Sequence, residues 1–459
     1  MPKEKVETLE DKQKFEFFDF AKGTVEIYAD WAAPEKPLLL GYLKAYKTSN
    51  SCSHSVTLAP EGIDLLNNTR ANLDPEIKAI AGEQFSLKPF FNCMEDSSPD
   101  RWGKTLMRRF YERRQKNQAE AESAIGAARK SKRGAVAVHL NAVQYMLGVH
   151  DQFRMGALRY KIQGKPEFLD HHNDQKWAIP AMMNLQELAN AAARIEDETL
   201  DITDEEYEYL RMLLAPGGSL GGARPKASVV NTNGQLCIAK FPSNKDEVDK
   251  AAWESVAAAL AKGCDITTPN NKIMKLNHKH HTFVSERFDR IGVDQRIHFA
   301  SAMCLSGLTD GQASHDNGIS YSRVLEILRT GGSQTRVDAR ELWTRIVFSI
   351  LIKNTDDHMR NHGFILVPGK GWRLSPAYDI NPEPKGSGLS LNISEHDNAL
   401  DLDLALSVCG NYFWKLADAK NKISEMKGIV SQWRTLAKAL QLNRREQEYM
   451  AAAFDSQAD

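Results

Sequence analysis

Apolar residues recur along this chain in two periods. Near the start they alternate or run at strand length over 23–29, 38–43 and 55–58. Such patterns bury one face of a pleated strand, so a small antiparallel sheet is expected there. Residues 154–160 read as a further strand. Ser98 and Pro99 read as a helix start, with Ser98 as cap and Pro99 in the first helical position. Helical composition continues over 104–133, 179–195 and 204–214. Residues 227–230 and 235–241 flank Asn233-Gly234 and predict a β-hairpin. A helix is expected over 247–262, then a strand from Thr282 running into the polar end 286–290. From Ile297 onward the period is mostly helical, over 320–330, 338–353, 400–408 and 415–440.

Composition narrows the class. A chain of 459 residues holds two or three domains, and we place the boundaries at 1–200, 201–290 and 291–459. Its net charge of −1 leaves no overall demand for nucleic acid or an anionic membrane. No apolar run reaches the length of a membrane span. The charged start, Met1 to Glu7, has no secretory h-region, and the six cysteines contain no Cys-x-x-Cys pair. Together these predict a cytoplasmic, reduced protein. Basic residues cluster over 108–133. They are either a patch for nucleic acid or an acidic partner, or a solvated helix and loop; interleaved Glu and Ala favour the second. His278, His280 and His281 lack an acid or Cys at ligand spacing, so a solvent-facing hairpin is preferred to a metal site.

The candidate chemistry lies after the apolar run 346–352. There Asn354-Thr355-Asp356-Asp357-His358-Met359-Arg360-Asn361 forms a polar loop before the short strand 364–367. A second polar insertion, 374–382, contains Asp379. This order suits phosphoryl transfer. Asp356 is placed to orient and deprotonate a hydroxyl, while Asn361 and Asp379 are placed to hold magnesium. The loop lacks His-Arg-Asp, and Asp-Phe-Gly is absent too, so an ordinary protein kinase is excluded. The plain alternative is an Asp-rich loop capping a helix.

The second informative stretch is 216–227. Its glycines permit close backbone approach and positive φ, and exposed N–H groups there make an anion nest. Ala223 stands where a Walker loop needs Lys, so the loop is no standard P-loop. Arg224 and Lys226 add positive charge beside it. Lys240, at the end of the hairpin's second strand, is placed like the strand-three lysine of a kinase. Glu254, on the helix that follows, is its candidate partner. The plain alternatives are a snorkelling edge Lys and a surface helix charge. Residues 286–288 stand where a hinge would pair its backbone with adenine. A polar loop over 311–318 is a candidate substrate entrance.

These motifs, in this order, resemble the HipA family of bacterial serine/threonine kinases, the toxins of type II toxin–antitoxin pairs. The resemblance also rests on Ser97-Ser98-Pro99-Asp100-Arg101-Trp102-Gly103, on 154–159, on 238–241, on Glu286-Arg287-Phe288-Asp289-Arg290 and on 375–379. It implies an α+β fold: a two-lobed protein-kinase-like core, with a small β-rich nucleotide lobe and a helical C-terminal lobe, and an added N-terminal α/β domain. By resemblance Asp356 is the catalytic aspartate, with His358 beside it, and Asn361 and Asp379 are the Mg2+ ligands. Gly218, Ser219, Leu220, Gly221, Gly222, Ala223, Lys226, Lys240, Glu254, Glu286 and Phe288 would hold ATP. Ser219 falls at the family's autophosphorylation serine, where an added phosphate would empty the site by repulsion. Implied partners are a protein substrate, such as a translation component, and a small DNA-binding HipB-like antitoxin, with DNA reached only through it. The competing readings are a weakly catalytic kinase-fold regulator acting through that antitoxin, and a small-molecule kinase.

Overall fold

The computed structural model describes residues 23–31, 36–47, 52–69, 72–124, 139–169, 184–196, 203, 207, 209–210, 212–214 and 222–456. Its first sheet is antiparallel and five-stranded: β1 (Gly23–Ala29), β2 (Leu38–Lys47), β3 (Cys52–Leu58), β4 (Glu83–Phe85) and β5 (Leu158–Ile162), in the order β4-β3-β2-β1-β5. Val25, Ile27 and Ala29 alternate inward from β1, as the period required. The helix Arg101–Ala124 packs against the same core through Trp102, Leu106 and Phe110, four residues apart, and through Met107.

Two local expectations fail here for one reason: polar groups find partners outside the element predicted for them. The strand expected over 154–160 is displaced to β5. Arg154 is fully buried instead, and its guanidinium donates to the carbonyls of Ser97 (2.7 Å), Met146 (3.0 Å) and Val149 (2.9 Å). Gly156 then turns the chain at φ +71°. Ser98 does not cap a helix and Pro99 is not its first residue. The Ser98 hydroxyl donates back to Met94 O, and the helix starts at Arg101, with the Asp100 carbonyl accepting the Lys104 N–H (2.7 Å).

A second antiparallel sheet has the order β6-β7-β9-β8, from β6 (Lys226–Val230), β7 (Leu236–Lys240), β8 (Asn271–Met274) and β9 (Thr282–Glu286). The predicted hairpin is there, with Gly234 at φ +74° in its turn. Its register sets Lys226 opposite Lys240. The helix Lys250–Gly263 is capped by Asp249, which accepts the Ala252 N–H (3.1 Å), and buries Trp253, Val256 and Leu260.

β10 (Arg290–Ile291) and β11 (Gln295–Arg296) form a short ribbon. Helices then dominate, around a small sheet of β12 (Phe299–Ser301), β13 (Gly363–Val367) and β14 (Gly371–Leu374). The single helix expected over 415–440 is two, Leu416–Val430 and Trp433–Ala439, because Trp433 turns into the core against Trp253 and Phe454. Phe454 comes from a further helix, Arg444–Phe454. Among the described residues no helix is long and apolar enough to cross a membrane.

A buried ionic cluster joins the first sheet's connections to the second. Asp289 accepts from Arg287 (2.7 Å), Arg290 (2.7 Å) and the Gly156 N–H (2.8 Å). Arg287 also donates to the Phe153 carbonyl (2.7 Å), and Arg290 to that of Gly156 (3.0 Å). Two sequence motifs, 154–159 and 286–290, are thus each other's partners.

Candidate active site

The helix Thr335–Leu351 is enclosed over its last ten residues, so the polar loop beyond it starts from a fixed point. Lys353 takes φ +51° and turns the chain out of the helix. The loop is tied through its own backbone. The Asp356 carbonyl accepts from Asn361 Nδ2 (2.8 Å) and from the His358 N–H (3.0 Å), and the His358 carbonyl accepts the Asn361 N–H (2.8 Å). The Asp356 side chain stays exposed. Among the described residues, His358 Nδ1 is buried without a hydrogen-bond partner.

Beneath the loop Asp357 is buried. It accepts from Tyr321 Oη (2.7 Å) and Ser349 Oγ (3.3 Å), with His362 Nε2 at 3.1 Å. Burial alone would push its pKa up, but His362 and the hydroxyl of Tyr321 outweigh this and hold it below the usual range.

Asp379 arrives from β14. The residue before it, Tyr378, donates its hydroxyl to the Arg360 carbonyl (2.7 Å) and packs its ring on Phe288 at 5.5 Å. Asp379 sits at φ +60°, a conformation that costs a non-glycine residue roughly 1–2 kcal/mol and gathers at functional sites. Asn381 follows it and binds the loop, its N–H donating to Asn354 Oδ1 (3.1 Å).

Lys240 Nζ reaches both carboxylates, Glu254 Oε1 at 2.6 Å and Asp379 Oδ1 at 2.7 Å. Burial works against the Lys240 charge, but the two acids outweigh it and raise its pKa. Lys240, opposed by burial and helped by Lys226, holds the Asp379 carboxyl well below the usual carboxylate range. Burial pushes the Glu254 carboxyl up, against the pull of Lys240. The Glu254 side chain is 9% exposed and that of Asp379 40%, so water screens the second ion pair and not the first.

Lys226 is buried across the hairpin. Burial pushes its pKa down to about 8, against the attraction of Asp379 and with the repulsion of Lys240. A Cβ on Gly222, which has φ +88°, would stand 2.7 Å from Lys226 Nζ. Ala223 is exposed beside it. Gly218, Ser219, Leu220 and Gly221 lie outside the described residues. Arg224, expected to add charge to this loop, is bound to Asp246 (2.8 Å).

At the expected hinge, the Glu286 N–H donates to Asn270 O (2.8 Å) and the Arg287 N–H to Leu236 O (2.9 Å). The Glu286 carboxylate accepts from Asn231 (3.2 Å) and Asn270 (2.8 Å). Among the described residues the Phe288 N–H has no such bond. His280 is buried, not solvent-facing, and His281 pairs with Asp249 across 2.5 Å. Among the described residues no three His, Cys, Asp or Glu side chains gather as a metal cage.

Lys240, Glu254 and Asp379 therefore meet at one point, and the Asn354–Asn361 loop is stitched to the Asp379 segment through Asn381 and Tyr378. Sequence reading missed Asn354, Asn381 and the Asp357–His362 pair. Their only signal was polarity next to an apolar run. It also missed that Asp100 and Trp102 touch Gly222 and Lys226.

A "Putative kinase" of Haemophilus influenzae is 25% identical over 204 residues, 40% of this chain and 60% of that protein. The chain thus matches about three fifths of that relative's length. A solved HipA from Shewanella oneidensis, in a toxin–antitoxin complex with HipB and operator DNA, superposes with a TM-score of 0.58. It is 15% identical and covers 95% of this chain and 96% of its own, a likeness of fold. The proinflammatory kinase CtkA of Helicobacter pylori covers 52% of this chain and 94% of its own at a TM-score of 0.35 and 14% identity. Residues 218–455, which include Lys226, Lys240, Glu254, Asp356, Asn361 and Asp379, match the HipA-like C-terminal domain, and the chain belongs to that HipA-like family.

Proposed function

We propose that the protein is an ATP- and Mg2+-dependent serine/threonine protein kinase. The observation that carries this reading is the pair of contacts at Lys240 Nζ, to Glu254 and Asp379, with the Asn354–Asn361 loop tied to the Asp379 segment. A lysine neutralised from two sides is poised to exchange one carboxylate for a phosphate oxygen. In this reading residues 201–290 are the nucleotide lobe, 291–459 the catalytic lobe and 1–200 an added domain.

The donor set fits the cofactors. Asn361 spends its amide nitrogen on Asp356 O, which leaves its oxygen for a cation. Asp379 has a second carboxylate oxygen beyond the one that Lys240 and Asn381 share. Mg2+ takes few protein oxygens and completes its shell with phosphates and water. When bound, it would neutralise charge developing on the phosphates. Lys226 and Lys240 orient the phosphates, and the Phe288 N–H serves adenine. Asp356 accepts the proton of the substrate hydroxyl as its oxygen bonds to the γ-phosphorus. The bond from that phosphorus to the bridging oxygen breaks and ADP departs. His358, within the same loop as Asp356, is a supporting group.

The reading extends to a growth-arresting toxin that modifies a protein, such as a translation component. Autophosphorylation at Ser219 would switch it off, and a HipB-like antitoxin would link it to DNA. The test is transfer of γ-phosphate from ATP by wild type, Asp356→Ala and Asp379→Ala, with intact mass and peptide mapping. Transfer by wild type alone, with the label on Ser219, is expected; equal transfer by all three would remove the assignment.

A further inference from the structure

One motif remains without a role in the proposed reaction: Ser97-Ser98-Pro99-Asp100-Arg101-Trp102-Gly103. Its serines close the preceding turn, but its last residues reach across to the Gly222–Lys226 segment. Asp100 Oδ2 accepts the Gly222 N–H. The Trp102 N–H donates to Gly222 O (3.4 Å), and Trp102 Nε1 donates to Lys226 O (3.1 Å). Three bonds from the start of one helix thus grip both ends of a five-residue segment. That segment carries Lys226 and has a left-handed glycine at its first position.

The grip is specific in its chemistry. Trp102 is buried, and its ring fixes the direction of its N–H. Gly222 has φ +88°, which a side chain would strain, and a Cβ there would stand 2.7 Å from Lys226 Nζ. Asp100 uses its other oxygen on the Arg101 N–H (2.6 Å), which locks the carboxylate's rotamer. Its negative charge also favours the Lys226 ammonium, which burial opposes. Moving the helix start would move Gly222, and Lys226 with it.

We infer that Asp100 and Trp102 are positioning residues for the phosphate-binding segment, so that the N-terminal part of the chain is a structural component of the nucleotide site. This rests on the kinase reading above. Neither residue touches nucleotide; each acts through the Gly222 and Lys226 backbone. A partner that displaces the 101–124 helix would therefore weaken ATP binding without entering the cleft.

The test is equilibrium binding of ATP to the full chain, alongside KM and kcat for phosphate transfer. Asp100→Ala removes the acceptor for the Gly222 N–H and should raise the ATP KM and Kd roughly tenfold, with a smaller change in kcat. Asp100→Asn keeps an acceptor oxygen and should recover most of that loss. Trp102→Phe removes the Nε1 donor and trims the buried indole to a phenyl ring; it should raise Kd a fewfold, measured well below the unfolding temperature of the variant. It also serves as the readout if Asp100→Ala fails to fold. Unchanged ATP affinity in Asp100→Ala and Trp102→Phe, with affinity lost in Lys240→Ala, overturns the inference and leaves the kinase reading standing. No ATP binding by the wild type overturns both.

Discussion

Lys240 Nζ lies 2.7 Å from the half-exposed carboxylate of Asp379 and 2.6 Å from the nearly enclosed one of Glu254. The two contacts differ in what they cost to break. Lys240→Met strands the Glu254 charge among buried groups and should destabilise the fold by about 1–3 kcal/mol. Asp379→Asn loses a pair already screened by water and should change stability by less than about 1 kcal/mol. Chemical denaturation of the two variants checks this. The double variant Lys240→Met/Glu254→Gln should regain most of the first loss. Both single variants should lose phosphate transfer by two orders of magnitude or more, roughly the weight of a preorganised charge.

Asp356 offers the cleaner separation of function from fold. Its carbonyl holds the loop, while its carboxylate is exposed. Asp356→Asn should therefore leave the unfolding midpoint close to wild type, within about 0.5 kcal/mol. Transfer should fall by roughly 10²–10⁴-fold, the usual weight of a positioned base. A large loss of stability with activity retained would show that the side chain serves the loop rather than the reaction.

Lys226 predicts the pH dependence. Its folded pKa is lowered to about 8 from an ordinary 10.5. As pH rises through 8 the apo protein loses this charge, so affinity for an anionic nucleotide should fall, by roughly tenfold between pH 7 and 9 if only the charged form binds. Stability takes the opposite sign. Between the folded and unfolded pKa values the unfolded chain holds more protons, so this group's contribution to stability rises with pH there. Lys226→Arg should flatten the binding profile above pH 8; a wild-type profile already flat from pH 7 to 9 would refute the assignment.

How far the sequence could be read depends on the range of the contacts involved. β1 and the 233–234 turn were legible because alternation and an Asn-Gly pair act within a few residues. The Lys240, Asp356 and Asp379 motifs were legible as ordered polar insertions in apolar runs. What failed depended on distant partners. Arg154 left its expected strand for three carbonyls of other segments, and Trp433 split a helix to reach Trp253. Arg224 was read as a free charge because nothing local revealed Asp246. The 97–103 motif reads from sequence only as a turn and helix start, since its contacts with Gly222 and Lys226 lie more than a hundred residues away.

The buried Arg287–Asp289–Arg290 cluster gives the last prediction. Asp289 is the carboxylate shared by both guanidiniums, and all three side chains are almost wholly enclosed. Burial opposes its charge, but Arg287 and Arg290 outweigh this and hold its pKa well below the ordinary 3.8. A carboxylate depressed in this way contributes stability that is complete above its unfolded pKa and drains away as pH falls toward the folded one. Asp289→Asn should remove that contribution at neutral pH. Two buried guanidiniums would lose their common counter-charge, at a cost of about 3–5 kcal/mol. Gly156 would keep an acceptor, so the loss should come from charge and not from an unpaired N–H. Denaturant titration from pH 3 to 7 checks both points: the wild type should weaken on acidification, and Asp289→Asn should weaken less. Equal slopes for the two would mean that this cluster does not set the acid limit of the fold.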